Sequence, residues 1–208
     1  RTMAPFVDVM EKVSREYKAA SNNKTFADYI RYCRWPIRKL EYSYVLDKVM
    51  PIAANGLKVL DAGCGVTPFP FVLGDLGCQV IGIDLNAEDI SLLKGLAKQN
   101  AFPGSQNCSF HVGDLGRLPY PDHSFDIVTC ISVLEHLPFP HYFQSLAELY
   151  RILKPGGTFV CTVDCWDGDR NINGKSAFNA TDLAYMLDNF KEELDEESRD
   201  YNQLQISA

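Results

Sequence analysis

From Lys58 onward, short runs rich in β-branched residues alternate with longer stretches whose apolar residues recur at helical spacing. The five short runs are LKVLDA, QVIGIDL, CSFHV, FDIVTCI and TFVCTVD. The clearest helical stretches contain residues 90–97 and run from about Tyr142 to Leu153. Alternation of this kind predicts βαβ units, and therefore an α/β fold with a mostly parallel sheet covered by helices on both faces.

The ends of the predicted helices carry capping signals. Thr67 can cap a helix that has Pro68 in its first turn, where a missing N–H costs nothing. Asn86 can cap the helix that contains residues 90–97, and the KPGG segment is expected to end the helix at Leu153. These signals predict short connections between the strands and the helices.

The two ends of the chain depart from the alternating pattern. FVDVMEKVSREYKAA and KLEYSYVLDKVM have helical periodicity, so residues 1–56 are expected to form a helical lid or flanking segment. Residues 57–208 are expected to form the main part of a single structural domain. Beyond Asp164, the sequence predicts a loop over WDGDRNINGKSAFN, a short helix over ATDLAYMLDNF and a solvated acidic stretch over KEELDEESRD. LQIS resembles a last strand, but the final strands of the sheet stay uncertain.

Charge and cysteine usage exclude several classes of protein. The net charge of −7 disfavours a nucleic acid partner, and no apolar run approaches the roughly 20 residues of a membrane span. The seven cysteines are odd in number and never spaced C-x-x-C, which predicts free thiols, no zinc ribbon and a reducing, cytoplasmic setting. The oligomeric state is left open.

A glycine turn follows the first predicted strand in the segment KVLDAGCGVTPFP. Gly63 permits a sharp turn, and Gly65 lets a ligand approach the backbone closely. Asp84 ends the second strand 84 − 63 = 21 residues later, which is the spacing of a carboxylate that binds ribose hydroxyls. Pro68 occupies the place of a third glycine and Asp61 adds negative charge, so the turn suits a nucleoside ligand without a pyrophosphate.

Taken together, the motifs resemble those of the S-adenosylmethionine-dependent methyltransferases of the Rossmann-like class. The segments that carry the resemblance are VLDAGCG, GIDLN, GDLGRLPYPDHSFDIVTCISVLEHL and LKPGGTF, in the family's order. They cover Lys58 to Asp164, and among such enzymes the chain looks most like those of ubiquinone and menaquinone biosynthesis. The resemblance implies a three-layer α/β/α fold, S-adenosyl-L-methionine as cofactor and a small-molecule methyl acceptor.

The resemblance also implies which residues contact the cofactor. Gly63 and Gly65 would line its methionine portion, Asp84 would hold its ribose hydroxyls, Asp114 and Leu115 would read its adenine, and Ile131 and Ser132 would close over it. Cys64 and Leu85 would also contact the cofactor. Asp61 would lie near the cofactor ammonium, or alternatively brace the turn by bonding backbone amides.

Candidates for catalysis and for acceptor binding come from two segments. SVLEHLPFPHYF follows the fourth strand, which makes Glu135, His136 and His141 candidates for a general base or a substrate ligand. Structural roles are the alternative for each of the three, and a shared zinc ion lacks further ligands. Tyr32, Trp35 and Arg38 lie in a basic and aromatic segment that is either a lid with acceptor contacts or a patch for RNA.

Three rival functions remain at the level of sequence. A nicotinamide-dependent oxidoreductase is disfavoured by Pro68, Asp61 and the extra acid Asp114. A non-catalytic relative that binds the cofactor is compatible with the uncertain last strands. Methyl transfer to RNA or protein would need a positive groove that the net charge of −7 does not indicate.

Overall fold

The computed structural model describes residues 36–138, 140–165, 171–172, 175–176, 178, 184 and 204–207. The predicted helices over residues 6–20 and 180–190, apart from the helical Ala184, lie outside the described residues, as do Tyr32, Trp35 and the acidic stretch. The chain divides into two compact units, Arg1–Gly113 and Asp114–Ala208. The predicted division at residue 56 stays a prediction.

The first unit contains three parallel strands in the spatial order β3-β2-β1. Its elements are α1 (Pro36–Val49), β1 (Lys58–Ala62), α2 (Phe69–Asp75), β2 (Gln79–Asp84), α3 (Ala87–Lys98) and β3 (Cys108–Val112). Helix α2 packs on β2 and helix α3 on β3, and Ile90, Leu93 and Leu96 of α3 are buried, as their spacing predicts. Parallel pairing brings the carboxyl ends of the three strands to one edge.

Capping in this unit follows the prediction at one helix and departs from it at another. The Asn86 side chain accepts hydrogen bonds from the amides of Glu88 and Asp89, as expected for the cap of α3. At α2 the prediction was wrong: the N-cap is Pro68 itself, and it has no side-chain cap bond. Thr67 Oγ1 instead accepts from the Phe69 amide at 3.4 Å.

The second unit contains three more parallel strands, in the order β4-β5-β8. Its elements are β4 (Phe125–Ile131), α4 (His141–Arg151), β5 (Leu153–Thr162), β6 (Asn171–Ile172), β7 (Lys175–Ser176) and β8 (Leu204–Ser207). Strand β5 begins at Leu153 and not at Thr158 because Leu153 already pairs with Phe125. The predicted last strand is present and lies parallel to β5.

One stretch that was expected to be a loop contains two short strands. β6 and β7 pair in antiparallel fashion, Ile172 with Lys175. The two residues between them in the sequence are Asn173 and Gly174, which is the strongest short-range signal for a β-hairpin. The loop prediction over WDGDRNINGKSAFN was therefore wrong at this point.

The described part of the chain lacks two kinds of feature, a membrane-spanning helix and a cluster of metal ligands. None of its helices combines the length and hydropathy that crossing a bilayer requires. No cluster of three or more His, Cys, Asp or Glu side chains in it is arranged to hold a metal ion.

Candidate active site

The glycine turn after β1 has the backbone geometry that its sequence predicts. Gly63 has a φ of 71° and Gly65 a φ of 48°, in the left-handed region that side chains disfavour. The amides of Gly63 and Cys64 both donate to the carbonyl of Ile83, at 2.8 and 3.0 Å. The turn is thus folded back onto the end of β2, next to Asp84.

Asp84 is fixed by the backbone on both sides of its carboxylate. Oδ2 accepts from the Gly65 amide at 2.9 Å, and Oδ1 accepts from the Asn86 amide at 2.9 Å. A carboxylate oxygen has two lone pairs, so each oxygen keeps a position for a further donor. The adjacent Leu85 is an exposed large apolar residue, with 62% of its surface accessible, and is therefore free to cover a ligand ring. A fixed carboxylate that can accept hydrogen bonds from two hydroxyls, next to an exposed apolar side chain, fits a nucleoside.

The other two predicted residues of the turn are buried. Asp61 is 3% exposed within β1, and Cys64 is 2% exposed. Burial, together with the charges of Asp61 and Asp84, raises the pKa of the Cys64 thiol well above its usual value. The Cys64 side chain therefore packs as a small apolar group, and a ligand would meet its backbone.

The start of α2 offers few donors to an anion. Pro68 and Pro70 have no N–H, and the Phe69 amide is already bonded to Thr67. Acidic residues surround the turn as well, and burial, followed by the charges of Asp84 and Glu88, raises the pKa of Asp89. A pyrophosphate needs free amides at a helix N-terminus, so this turn is unsuited to a dinucleotide.

In the second unit, the structure brings Asp114 and His141 together. Asp114 Oδ1 accepts from the Gly116 amide at 2.8 Å and lies 2.9 Å from His141 Nε2. The Gly116 amide, followed by His141, lowers the pKa of the Asp114 carboxyl below its usual value. Asp114 remains half exposed, whereas its neighbour Leu115 is buried.

The end of β4 holds a strained residue. Ser132 has a φ of 51°, which costs a non-glycine residue about 1–2 kcal/mol. Its amide donates to the carbonyl of Thr162 at 2.9 Å and to Thr162 Oγ1 at 3.2 Å. Strain that is maintained by such bonds is frequent at functional sites, and Ile131 precedes it, half-buried.

The two neighbouring catalytic candidates have different surroundings. Glu135 is 2% exposed, and its Oε1 accepts from the Asp164 amide at 3.0 Å. His136, in the same short 3₁₀-helix Leu134–His136, is exposed. Glu135 thus braces the segment after β5, and His136 is the more accessible of the two.

Of the predicted acceptor contacts outside α4, only Arg38 lies among the described residues. Its guanidinium is bonded to Glu41 at 2.6 Å, and only 11% of the side chain is exposed. The charge of Arg38 is therefore already compensated within α1, which makes it a poor ligand for an anionic acceptor.

Comparison with known proteins identifies the central part of the chain. Residues 60–161 match the family model described as a methyltransferase domain. This segment is a methyltransferase domain. The resemblance that the sequence motifs indicated is thereby confirmed.

Two curated relatives are both named demethylmenaquinone methyltransferase. A demethylmenaquinone methyltransferase of Deinococcus radiodurans is 38% identical over 111 residues, which are 52% of this chain and 44% of that protein. A demethylmenaquinone methyltransferase of Listeria welshimeri is 28% identical over 204 residues, 96% of this chain and 78% of the relative. The chain thus spans less than half the length of the first relative and most of the second.

The similarity to solved structures concerns the fold. The crystal structure of the cyclase SpnF has a TM-score of 0.64 and 24% identity, covering 74% of this chain and 57% of that one. This likeness confirms the predicted Rossmann-like α/β class. It also shows that the fold of the methyltransferase domain is shared with a protein named for a different reaction.

Some contacts of the methyltransferase domain had no counterpart in the sequence predictions. Thr162 holds Ser132 because β4 and β5 align Ile131 with Thr162, and this register has no local signal. Asn86 fixes Asp84 through its backbone amide, although its side chain was expected only as a helix cap. The roles of the individual residues toward a cofactor stay predictions.

Proposed function

We propose that the chain binds S-adenosyl-L-methionine and transfers its methyl group to a small-molecule acceptor. The observation that carries the proposal is the Asp84 carboxylate, held at the end of β2 by the Gly65 and Asn86 amides. A fixed carboxylate with unused lone pairs is suited to the two hydroxyls of a ribose. The shortage of free amides at α2 favours a cofactor without phosphate over a nicotinamide dinucleotide.

The chemistry requires positioning above all. When bound, the cofactor supplies an electrophilic methyl group on a sulfonium centre. Aligning the acceptor with that group is the main contribution of the protein, because a well-oriented pair reacts far faster than a free one. In our proposal Gly63 and Gly65 allow close approach along the turn, and Asp84 with Leu85 holds the nucleoside. Asp114 and Leu115 bind the adenine, and Ile131 and Ser132 close over it.

A general base is needed only where the acceptor must lose a proton. We assign this part to His136, because it is exposed while Glu135 is buried and bonded to the Asp164 amide. The imidazole of histidine is the side chain that most often serves as a general base. Glu135 then acts by fixing the segment after β5.

The names of the relatives suggest the first acceptor to test. Both curated relatives are named for demethylmenaquinone, so we propose an aromatic, quinone-type acceptor for this chain. A cytoplasmic location stays a prediction.

The cofactor part of the proposal is tested by calorimetric titration with S-adenosylhomocysteine, the demethylated product. Asp84→Ala should weaken binding by about 3 kcal/mol, on the order of 100-fold, because two hydroxyls lose a charged acceptor. Asp75→Ala is the matched control, since Asp75 is an exposed aspartate in the same unit. If the folded wild-type protein does not bind the ligand, the proposal is wrong.

The transfer part is tested by following the formation of S-adenosylhomocysteine with demethylmenaquinone and other acceptors. Turnover with an aromatic acceptor would support the full proposal. Tight cofactor binding without turnover on any acceptor would instead favour a non-catalytic, cofactor-binding relative.

A further inference from the structure

The contact between Asp114 and His141 joins residues that are 27 positions apart in the chain. Asp114 follows β3, and His141 is the first residue of α4. Both recorded bonds to the Asp114 carboxylate go to the same oxygen: Oδ1 receives the Gly116 amide and His141 Nε2. Among the described residues, Oδ2 is left as the acceptor that a ligand can use.

The chemistry of the contact fixes the proton on the histidine. An ionised carboxylate only accepts hydrogen bonds, so Nε2 must carry a hydrogen and donate it to Oδ1. The other ring nitrogen, Nδ1, lies 3.3 Å from Gln144 Oε1. The ring is therefore held through the bond from Nε2 to Asp114, and its side chain is only 27% exposed.

Gly116 makes this approach possible. A Cβ at position 116 would lie 2.6 Å from His141 Cε1, which is closer than real carbon atoms approach each other. The positive-φ glycines do not include Gly116, so backbone conformation does not explain the residue. Lack of a side chain at position 116 is what leaves space for the imidazole beside Asp114.

We propose that His141 is a positioning residue that turns Asp114 Oδ2 toward the exocyclic amine of the adenine. This inference rests on the proposed function, in which Asp114 binds the adenine, and adds a specificity-determining role for His141 and Gly116. With Oδ1 held by two donors, the carboxylate cannot rotate, so its second oxygen presents a fixed acceptor to an amino group. His141 then acts on the cofactor through Asp114 and does not act as a base toward the acceptor.

A purely structural ion pair is the competing explanation, in which the contact only ties the segment after β3 to α4. The two explanations differ in ligand selectivity. A structural contact would affect all ligands of the site alike, whereas a positioning contact affects the ligand that bears the amine.

The test compares two ligands by calorimetry, S-adenosylhomocysteine and S-inosylhomocysteine, in which the amine is replaced by a carbonyl oxygen. The wild-type protein should prefer the adenosyl ligand by roughly 10- to 100-fold, the value of a hydrogen bond to a charged group. Two variants with amide side chains distinguish the contribution of Nε2 from that of Nδ1. Gln places its amide nitrogen as far from Cβ as Nε2 is, and Asn places it as far as Nδ1 is.

His141→Gln should therefore keep the preference within about twofold of wild type, because it retains a donor for Oδ1. His141→Asn should reduce the preference by roughly fivefold or more, because that donor is lost. Gly116→Ala should act like His141→Asn, since the added methyl group displaces the ring. If His141→Asn unfolds, Gly116→Ala serves as the test variant in its place. His111→Gln is the control, because His111 is an exposed histidine in β3.

The outcomes distinguish the inference from the proposed function. If the wild-type protein binds neither ligand, the proposed function is wrong and the inference falls with it. If the wild-type protein binds both ligands equally, or if His141→Asn and Gly116→Ala leave the preference unchanged, only the role of His141 is overturned. Loss of preference in these two variants, with rescue in His141→Gln, supports it.

Discussion

Arg151, the last residue of α4, anchors the segment that leads into β4. Its Nε and Nη2 atoms form a two-pronged contact with Glu148, at 2.7 and 2.9 Å. Nη1 donates to Asp122 and to the carbonyl of Tyr120, and Nη2 donates to the carbonyl of Leu118 at 3.2 Å. Three of these five hydrogen bonds thus hold three points of a segment that has no regular secondary structure, and the other two orient the guanidinium against Glu148.

Replacing Arg151 with methionine keeps much of the apolar stem and removes all five bonds. The Arg151 side chain is 31% exposed and that of Glu148 is 22% exposed, so solvent screens part of the ion pair. We expect a loss of about 2 kcal/mol in the free energy of unfolding, mainly from the paired contact with Glu148 and the bonds to the two carbonyls. For a chain of this size that corresponds to a fall of roughly 4–8 °C in Tm.

The effect of this substitution should depend on pH. Hydrogen bonds from Arg151 hold the pKa of Glu148 and of Asp122 below their usual values. A carboxyl whose pKa is lowered in the folded state stabilises the protein above its unfolded pKa, about 4, and loses that contribution as pH falls through the folded value. The difference between wild type and Arg151→Met should therefore be full at pH 7 and shrink below about pH 4.

Thermal unfolding of Arg151→Met and of Arg117→Met at several pH values provides the assay. Arg117 is an exposed arginine of the same unit, so its substitution should change stability by no more than about 0.5 kcal/mol. Equal Tm values for the two variants at pH 7, or a difference that does not vary with pH, would refute the account of the Arg151 contacts.

Two further predictions concern packing and thiol reactivity. Gly82→Ala should destabilise the protein by about 1–3 kcal/mol, because a Cβ would lie 2.7 Å from Phe110 Cδ1. At Gly95 a Cβ would meet nothing within 4 Å, so Gly95→Ala should instead stabilise α3 by up to about 1 kcal/mol. Thermal unfolding of the two variants measures this difference. Burial raises the pKa of Cys108 to about 12, so iodoacetamide at pH 8 should alkylate the exposed Cys165 and spare Cys108. Peptide mass spectrometry measures the modification of each thiol. Modification of Cys108 in the folded protein at the rate of Cys165 would contradict this prediction.

Local patterns in the sequence were sufficient to predict most of the described strands. β3 and β4 have the predicted bounds, and β1 and β2 differ from prediction by one residue at one end. β5 was placed too late because Leu153 joins the strand by pairing with Phe125, across a register irregularity. Such pairing depends on a strand 28 residues earlier, which local periodicity cannot reveal.

The same limit applies to the candidate site. Positive φ at Gly63 and Gly65 and the placement of Asp84 at a strand end are local consequences of the sequence, and both were predictable. The contact of Asp114 with His141 and the bonds from Ser132 to Thr162 join distant segments. Neither has a spacing rule that would identify it in advance.

Physical constraints differ between the cofactor part and the acceptor part of the proposed site. The turn after β1 must fold back onto the end of β2 and still leave Asp84 two acceptor positions. Few sequences meet this requirement, since any side chain at Gly63 or Gly65 is strained. Acceptor binding carries no such backbone requirement, and the fold is shared with the cyclase SpnF. Titration of the Asp84→Ala variant therefore tests the part of the site that these backbone constraints define, and an acceptor screen tests the part that they do not.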